Sequence, residues 1–369
     1  MHLINISREN ILKPLIAVIG IVERRHTLPI LSNVLITQEK ETLSFNATDL
    51  EIQINAYVKL TEAPVEFSLT VAAKKLYDIC RALPDGLMIN LEKKDDGRLQ
   101  IKAGNSRFSL QTLPADDFPQ FSRATDEFIA LRLSQAKFKS LLNRVYYAMA
   151  QQDIRYYLNG LLLEIQGDQL RAVATDGHRL ALASMVLPQE IDEKEIILPR
   201  KTVVELIKLL SDEDDDLSVE IGANQVRFSF QNISLVSKVV DGKFPDYNKV
   251  IPTQNSNHFI IDRLALLQPL QRASILSNEK FRGVRLVLTQ NSLRVICNNS
   301  EQEEAQEEVT IDYDGEPLDI GFSVTYLLDV LNNLNQTEVE LSFSDANSSS
   351  LVMIPGDDAF KYVVMPMRI

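Results

Sequence analysis

Apolar and polar residues alternate through Asn33-Val34-Leu35-Ile36-Thr37, Thr42-Leu43-Ser44-Phe45-Asn46 and Glu51-Ile52-Gln53-Ile54-Asn55, and a period of two predicts strands with one buried face. Met1-His2-Leu3-Ile4-Asn5-Ile6 follows the same rule and is expected to form a strand; a secretory signal would need a basic segment followed by a long apolar stretch. Elsewhere the period lengthens. Leu12-Lys13-Pro14-Leu15, Phe138-Lys139-Ser140-Leu141 and Leu267-Gln268-Pro269-Leu270 each sit where apolar residues fall at helical spacing.

These quartets are one pattern met three times, at steps of 126 and 129 residues. A second helical pattern, in Ala73–Cys80, Arg200–Ile207 and Val324–Leu331, recurs at steps of 127 and 124. Arg107-Phe108-Ser109-Leu110 returns as Arg227-Phe228-Ser229-Phe230, and Asp117-Phe118-Pro119 as Lys243-Phe244-Pro245. A shared order and period mark a triplicated unit. Each repeat reads as strand, helix and three strands, then the same again: an α+β fold of antiparallel hairpins whose helices gather on one face of the sheet. Interruptions at Arg123-Ala124-Thr125-Asp126 and Pro252-Thr253-Gln254-Asn255 divide the chain into domains 1–125, 126–253 and 254–369, each of a size that holds its own core.

Hydrophobic residues make up 45% of the 369 and charged residues 24%, which excludes a largely disordered or fibrous chain. No run of about 18 apolar residues is free of charge, so no membrane-spanning helix is expected. Cys80 and Cys297 are too few for a disulfide framework, which favours a reducing, cytoplasmic compartment. The absence of CxxC or HxxxH spacing argues against structural zinc, and no cofactor is expected. The net charge of −13 argues at first against a polyanionic partner. Its distribution changes that reading: the helical stretches and their flanks carry about +9, leaving about −22 to sheets and loops. If all the helices share one side, that side is basic, and a loosely basic surface holds duplex DNA without reading its sequence. Lys and Arg on solvated helices give the same count with no ligand, and the third repeat is nearly neutral.

Several long motifs occur in order: Thr27-Leu28-Pro29-Ile30-Leu31-Ser32-Asn33, Asp153-Ile154-Arg155-Tyr156-Tyr157-Leu158-Asn159-Gly160, Ala174-Thr175-Asp176-Gly177-His178-Arg179-Leu180, Asp241-Gly242-Lys243-Phe244-Pro245-Asp246-Tyr247, Ile275–Val284 and Tyr362–Arg368. Through them the whole chain resembles the bacterial replicative sliding clamps, the beta subunits of DNA polymerase III. The resemblance implies a DNA clamp fold: three repeated domains, antiparallel sheets outside, and helices lining the hole of a head-to-tail dimeric ring. It also implies a non-catalytic processivity factor that encircles duplex DNA. Helix dimensions agree with two chains. Six helices about 10 Å across close a circle only about 19 Å through their centres, whereas twelve give about 38 Å and a clear hole of about 28 Å, wide enough for a duplex of about 20 Å.

The family pocket takes short linear peptides from the replicative polymerase's catalytic subunit, the clamp loader, and repair and translesion polymerases. Its matching positions are Leu158, Thr175, Gly177, His178, Arg179, Leu180, Pro245, Lys249, Val250, Ser349, Val363, Val364, Met365, Pro366, Met367 and Arg368. Leu, Val, Met and Pro side chains suit an adaptable apolar trough. Lys249 stands where the enteric type has arginine, replacing a planar donor by a point charge. Taken alone, Val363 and Val364 read as a core strand and Met365–Arg368 as a frayed tail. DNA contacts are implied for Arg25, Gln152, Arg155, Tyr156, Tyr157 and Lys201. A dimer interface is implied for Lys75, Arg107, Phe108, Leu110, Ile275, Leu276, Glu303 and Glu304.

Candidate chemistry is sparse. Asp176-Gly177-His178 lies between strand patterns, where Asp-Gly is first a turn signal. There is no GxSxG elbow and no GxxxxGK[ST] loop. Asp212-Glu213-Asp214-Asp215-Asp216 is the one carboxylate run from which a metal-dependent DNA-modifying enzyme could be built, and a solvated loop after a helix is the plainer reading.

Overall fold

The computed structural model describes residues 2–23, 28–60, 65–121 and 128–369; Arg25, Thr27 and the boundary expected near residue 125 lie outside them. In chain order the elements are β1 (His2–Ser7), α1 (Arg8–Ile19), β2 (Asn33–Glu39), β3 (Thr42–Thr48), β4 (Ile52–Lys59), β5 (Phe67–Ala72), α2 (Ala73–Ala82), β6 (Met88–Lys93), β7 (Arg98–Ala103), β8 (Ser106–Leu113), β9 (Ile129–Ser134) and α3 (Gln135–Asn143). They continue with β10 (Gly160–Thr175), β11 (Arg179–Pro199), α4 (Arg200–Leu209), β12 (Asp216–Ile221), β13 (Gln225–Phe230), β14 (Ile233–Lys238), β15 (Asn257–Asp262) and α5 (Arg263–Ala273). The last are β16 (Gly283–Thr289), β17 (Ser292–Asn298), β18 (Glu304–Thr310), β19 (Leu318–Ser323), α6 (Val324–Asn333), β20 (Glu338–Phe343), β21 (Ser350–Ile354) and β22 (Asp357–Val364).

Contacts divide these elements into two units, one of residues 1–136 and 208–239, the other of 137–207 and 240–369. The first carries a sheet of order β1-β6-β7-β8-β5-β2-β3-β4-β14-β13-β12-β9; the second carries β10-β11-β22-β21-β20-β15 and β18-β17-β16-β19. The division follows strand pairing across the repeats. In the first unit β4 pairs antiparallel with β14, Ile54 opposite Leu235; in the second β11 pairs with β22, Leu180 opposite Val363. The middle repeat therefore lends β9, β12, β13 and β14 to the first unit and β10 and β11 to the second.

The triplication is visible in individual hydrogen bonds. The first helical residue of each repeat donates its backbone N–H to the loop after the second helix: Arg8 to Leu87 O at 2.9 Å, Gln135 to Asp215 O at 2.9 Å and Arg263 to Thr337 O at 2.7 Å. Arg8 and Arg263 also satisfy carbonyls that the end of the second helix leaves open, and Gln135 bonds the turn that follows it. Arg8 Nε donates to Cys80 O at 2.9 Å, Arg263 Nη1 to Leu331 O at 2.8 Å and its Nε to Gln336 O at 3.0 Å. Gln135 Oε1 accepts from Ser211 N at 3.0 Å. The run 212–216 is thus part of a turn that receives the start of α3, with Ala136 N also donating to Glu213 O.

Helix α1 shows how burial follows spacing. Ile11, Pro14, Leu15 and Val18 are buried on one face, which meets α2, β3 and β4; α5 packs likewise on α6, β17 and β18. Residues 160–175 and 179–199 each cover two strands of the first repeat: 160–165 pair with 194–199, and 169–175 with 180–186. Arg171 Nη1 reaches Glu164 Oε2 at 3.0 Å and Gln166 Oε1 at 3.1 Å, which a continuous strand would hold far apart, so β10 turns back on itself at Gly167, whose φ of +62° suits a hairpin turn.

Candidate functional site

Within the second unit, the turn between β10 and β11 is built by its own polar side chains. Thr175 Oγ1 donates to Arg179 O at 2.6 Å and accepts from Gly177 N at 3.1 Å. Asp176 Oδ1 accepts from His178 N and Arg179 N at 2.9 and 3.1 Å. Gly177 has φ of +90°, a conformation glycine adopts without penalty, and a Cβ there would lie 3.0 Å from Arg155 Nη1. That guanidinium forks onto Asp153, with Nε to Oδ1 at 3.0 Å and Nη2 to Oδ2 at 2.9 Å, and reaches Asp176 O at 3.2 Å. The Arg155 hydrogen bonds pull the Asp153 carboxyl down to about 2.

Arg179 runs beneath the turn. It donates to Asp176 Oδ2 at 3.1 Å, Asp329 Oδ2 at 2.5 Å and Tyr147 O at 2.6 Å, with its guanidinium 4.5 Å from the centre of the Tyr326 ring. Burial opposes its charge, but Tyr362, Asp329 and Asp176 outweigh that and raise its pKa.

Above these groups opens a cavity of about 470 Å³. One wall is Leu158, Thr175, Gly177, His178, Arg179 and Leu180; the facing wall is Phe244, Pro245, Asp246, Tyr247, Lys249, Val250, Ile251 and Pro252; Ser348, Ser349, Val363 and Met365 complete it with Arg155. Its floor is an apolar cluster containing Leu162, Val173, Leu180, Ile197, Phe244, Leu351 and Val363. Tyr247 is pinned by donating to Glu164 Oε2 at 2.6 Å; burial, then that bond, push its phenol up to about 12. Lys249 Nζ lies 3.0 Å from Asp246 Oδ2, which lowers the Asp246 pKa.

Most positions matched to a peptide pocket meet in this cavity. Val364 is buried in β22 and does not line it, nor do Pro366, Met367 and Arg368, which continue past the rim. Arg155, matched to DNA contacts, is exposed and also lines the cavity. Phe244, Asp246, Tyr247, Ile251, Pro252 and Ser348 were not singled out as lining residues, although Asp241–Tyr247 is itself one of the motifs; only the turn over Tyr247–Val250 brings its two sides to the cavity.

The other candidates are spread over both units. Gln152 is exposed with φ of +56°. The exposed Tyr156 ring meets Tyr157 edge-on at 5.8 Å, and Tyr157 packs on the cavity's apolar cluster. Lys201 is half-buried on α4. In the first unit Lys75 and Arg107 are exposed, Phe108 is half-buried, and Leu110 is buried within its own sheet. In the second, Ile275 is 78% exposed, Leu276 is half-buried, and Glu303 and Glu304 are exposed at the start of β18.

Family models for the N-terminal, central and C-terminal domains of the DNA polymerase III beta subunit match residues 1–122, 132–246 and 248–368. The beta sliding clamp of Pseudomonas putida is 48% identical over 100% of both chains, and that of Escherichia coli 44% over 99% of each. Among solved structures, a Pseudomonas aeruginosa sliding clamp bound to griselimycin aligns with a TM-score of 0.95 at 46% identity, covering 100% of both chains. Caulobacter crescentus pol III beta aligns at 0.92 and 40%, again over 100% of both. Three repeated antiparallel domains with paired helices, continuous in strand pairing, make this a DNA sliding clamp. The chain belongs to the DNA polymerase III beta-subunit family, the beta sliding clamps of bacteria.

Proposed function

We propose that two copies of this chain close head to tail around duplex DNA and act as a non-catalytic processivity subunit in the cytoplasm, tethering the replicative polymerase, the clamp loader and repair or translesion polymerases. The domains are assigned as 1–125, 126–253 and 254–369. The observation that carries the tether is the preformed cavity beside the β10–β11 turn, whose apolar floor and polar rim suit the anchors of a short linear peptide. No helix among the described residues is long and apolar enough to cross a membrane.

Two open strand edges support the closed dimer. Among the described residues β8 pairs with β5 only through Thr112 and Leu113, leaving Ser106–Gln111 unpaired on that side, and β18 ends its four-stranded sheet. Such edges recruit a further strand unless covered. β8 with Arg107, and β18 with Glu304 and Glu308, offer opposite charge, and Ile275 and Leu276 supply an apolar contact beside them. Pairing β8 of one protomer with β18 of its partner, twice about a two-fold, closes a ring and leaves no open filament. Arg25, Gln152, Arg155, Tyr156, Tyr157 and Lys201 are assigned to DNA on the inner side.

The experiment is retention on plasmid. Once loaded, the protein should stay on closed circles and be lost after linearisation; equal loss from both forms would refute encirclement.

A further inference from the structure

The segment that follows β22 is tied down beyond the cavity. Met365 N donates to His178 O at 2.9 Å, at the cavity mouth, and Met367 N donates to Gly321 O of β19 at 2.8 Å. Ile369 then lies across two glycines on neighbouring strands. A Cβ at Gly283 of β16 would come 3.1 Å from Ile369 Cδ1; one at Gly321 would come 2.5 Å from Met367 O and 2.8 Å from Ile369 Cδ1.

Neither glycine has a positive φ, so backbone conformation does not demand glycine at either position. Space does. β16 and β19 pair with Gly283 opposite Ser323 and Arg285 opposite Gly321, which puts both glycines on one face as diagonal neighbours. Glycine inside a strand weakens it and marks the close approach of another backbone; here that backbone is 367–369.

We propose that Gly283 and Gly321 form a shelf that seats Ile369 and thereby holds Met365 at the rim of the peptide cavity, making these three positioning residues for partner binding. The proposal rests on reading the cavity as the partner site. Met365 is 48% exposed and has one backbone bond to the turn; a terminal segment held by that alone would fray. Anchoring it four residues further on means that a peptide meets a formed rim and does not have to order it, and such preorganisation raises affinity without adding contacts.

The test uses the full-length protein and a fluorescein-labelled peptide with Leu and Phe anchors, read by anisotropy, together with amide hydrogen exchange at Met365 and Met367. Ile369→Ala should weaken the peptide about 3- to 10-fold, and Gly321→Ala about tenfold or more, with faster exchange at both amides. Gly283→Ala should weaken it alone, yet add nothing in the Ile369→Ala background, where the side chain it would strike is gone. Val250→Asp, at the opposite rim, separates the two ideas. If it abolishes binding while Ile369→Ala and Gly321→Ala bind and exchange like the parent, the shelf is refuted. If Val250→Asp itself binds normally, the reading of the cavity as the peptide site fails instead.

Discussion

At Gly177 two constraints coincide: a left-handed φ of +90° and a guanidinium where a side chain would begin. Gly177→Ala should therefore cost about 1–3 kcal/mol in urea unfolding and weaken peptide binding, because Arg155 must leave the fork on Asp153 to make room. The fork also has a pH signature. Its partner carboxyl is held at about 2, against about 3.9 in an unfolded chain. A depressed folded value means the stabilisation is fully present above about pH 4 and disappears as pH falls through about 2. A carbon-detected titration of Asp153 should show this, and Arg155→Ala should return it to the ordinary carboxylate range; an unmoved midpoint would dissociate the pair. Sequence carries this level unevenly. Asp176-Gly177 announces its turn because its residue types have few other uses, whereas the direction of Arg155 depends on the neighbouring Asp153 and on a turn about twenty residues away, which spacing does not reveal.

Among the elements, period was the legible quantity. Helical patterns at Ala73–Cys80, Arg200–Ile207 and Val324–Leu331 coincide with α2, α4 and α6, because each must turn an apolar stripe toward its sheet. What the period does not disclose is that Arg8, Gln135 and Arg263 all reach the end of the second helix or the turn after it, since two arginines and a glutamine do not look alike. Arg8 and Arg263 donate to open carbonyls of the helix end, and Gln135 accepts from Ser211 N in the turn. Arg263 places two donors on Leu331 O and Gln336 O, and hydrogen bonds from a charged group to backbone contribute about 1.5–3 kcal/mol. Arg263→Ala should lose an amount in that range in urea unfolding, and Arg263→Lys should recover only part of it, since an ammonium cannot span both carbonyls in one plane. The break that Pro188 and its polar neighbours suggest is a connection between two strands, since 180–186 pair with 169–175 and 194–199 with 160–165, and 160–165 and 169–175 are the two halves of a hairpin closed by the bonds of Arg171 to Glu164 and Gln166.

The assembled molecule must reconcile a net charge of −13 with a hold on DNA. A protein that grips duplex DNA through 6–10 phosphate contacts loses about 1,000- to 100,000-fold in affinity between 50 and 200 mM salt, because each contact releases counterions. The proposed ring would have no such dependence, since its lifetime on a circle would be set by opening at the contact proposed between β8 and β18. The acidic total, which alone would argue against DNA, is then compatible with sliding: the basic helical side expected from the sequence would steer the duplex while weak contacts leave it mobile. Ile275, 78% exposed beside the acidic strand β18, is the residue on which closure can be tested. Ile275→Asp places a further negative charge against that strand and removes an apolar contact, so sedimentation should show the mass of one chain where the parent shows two. On closed plasmid, the parent's retained fraction should change less than about twofold from 50 to 200 mM salt, while Ile275→Asp should be retained no better than on linear DNA at any salt. A steep salt dependence for the parent on circles would mean that phosphate contacts, and not topology, hold it there.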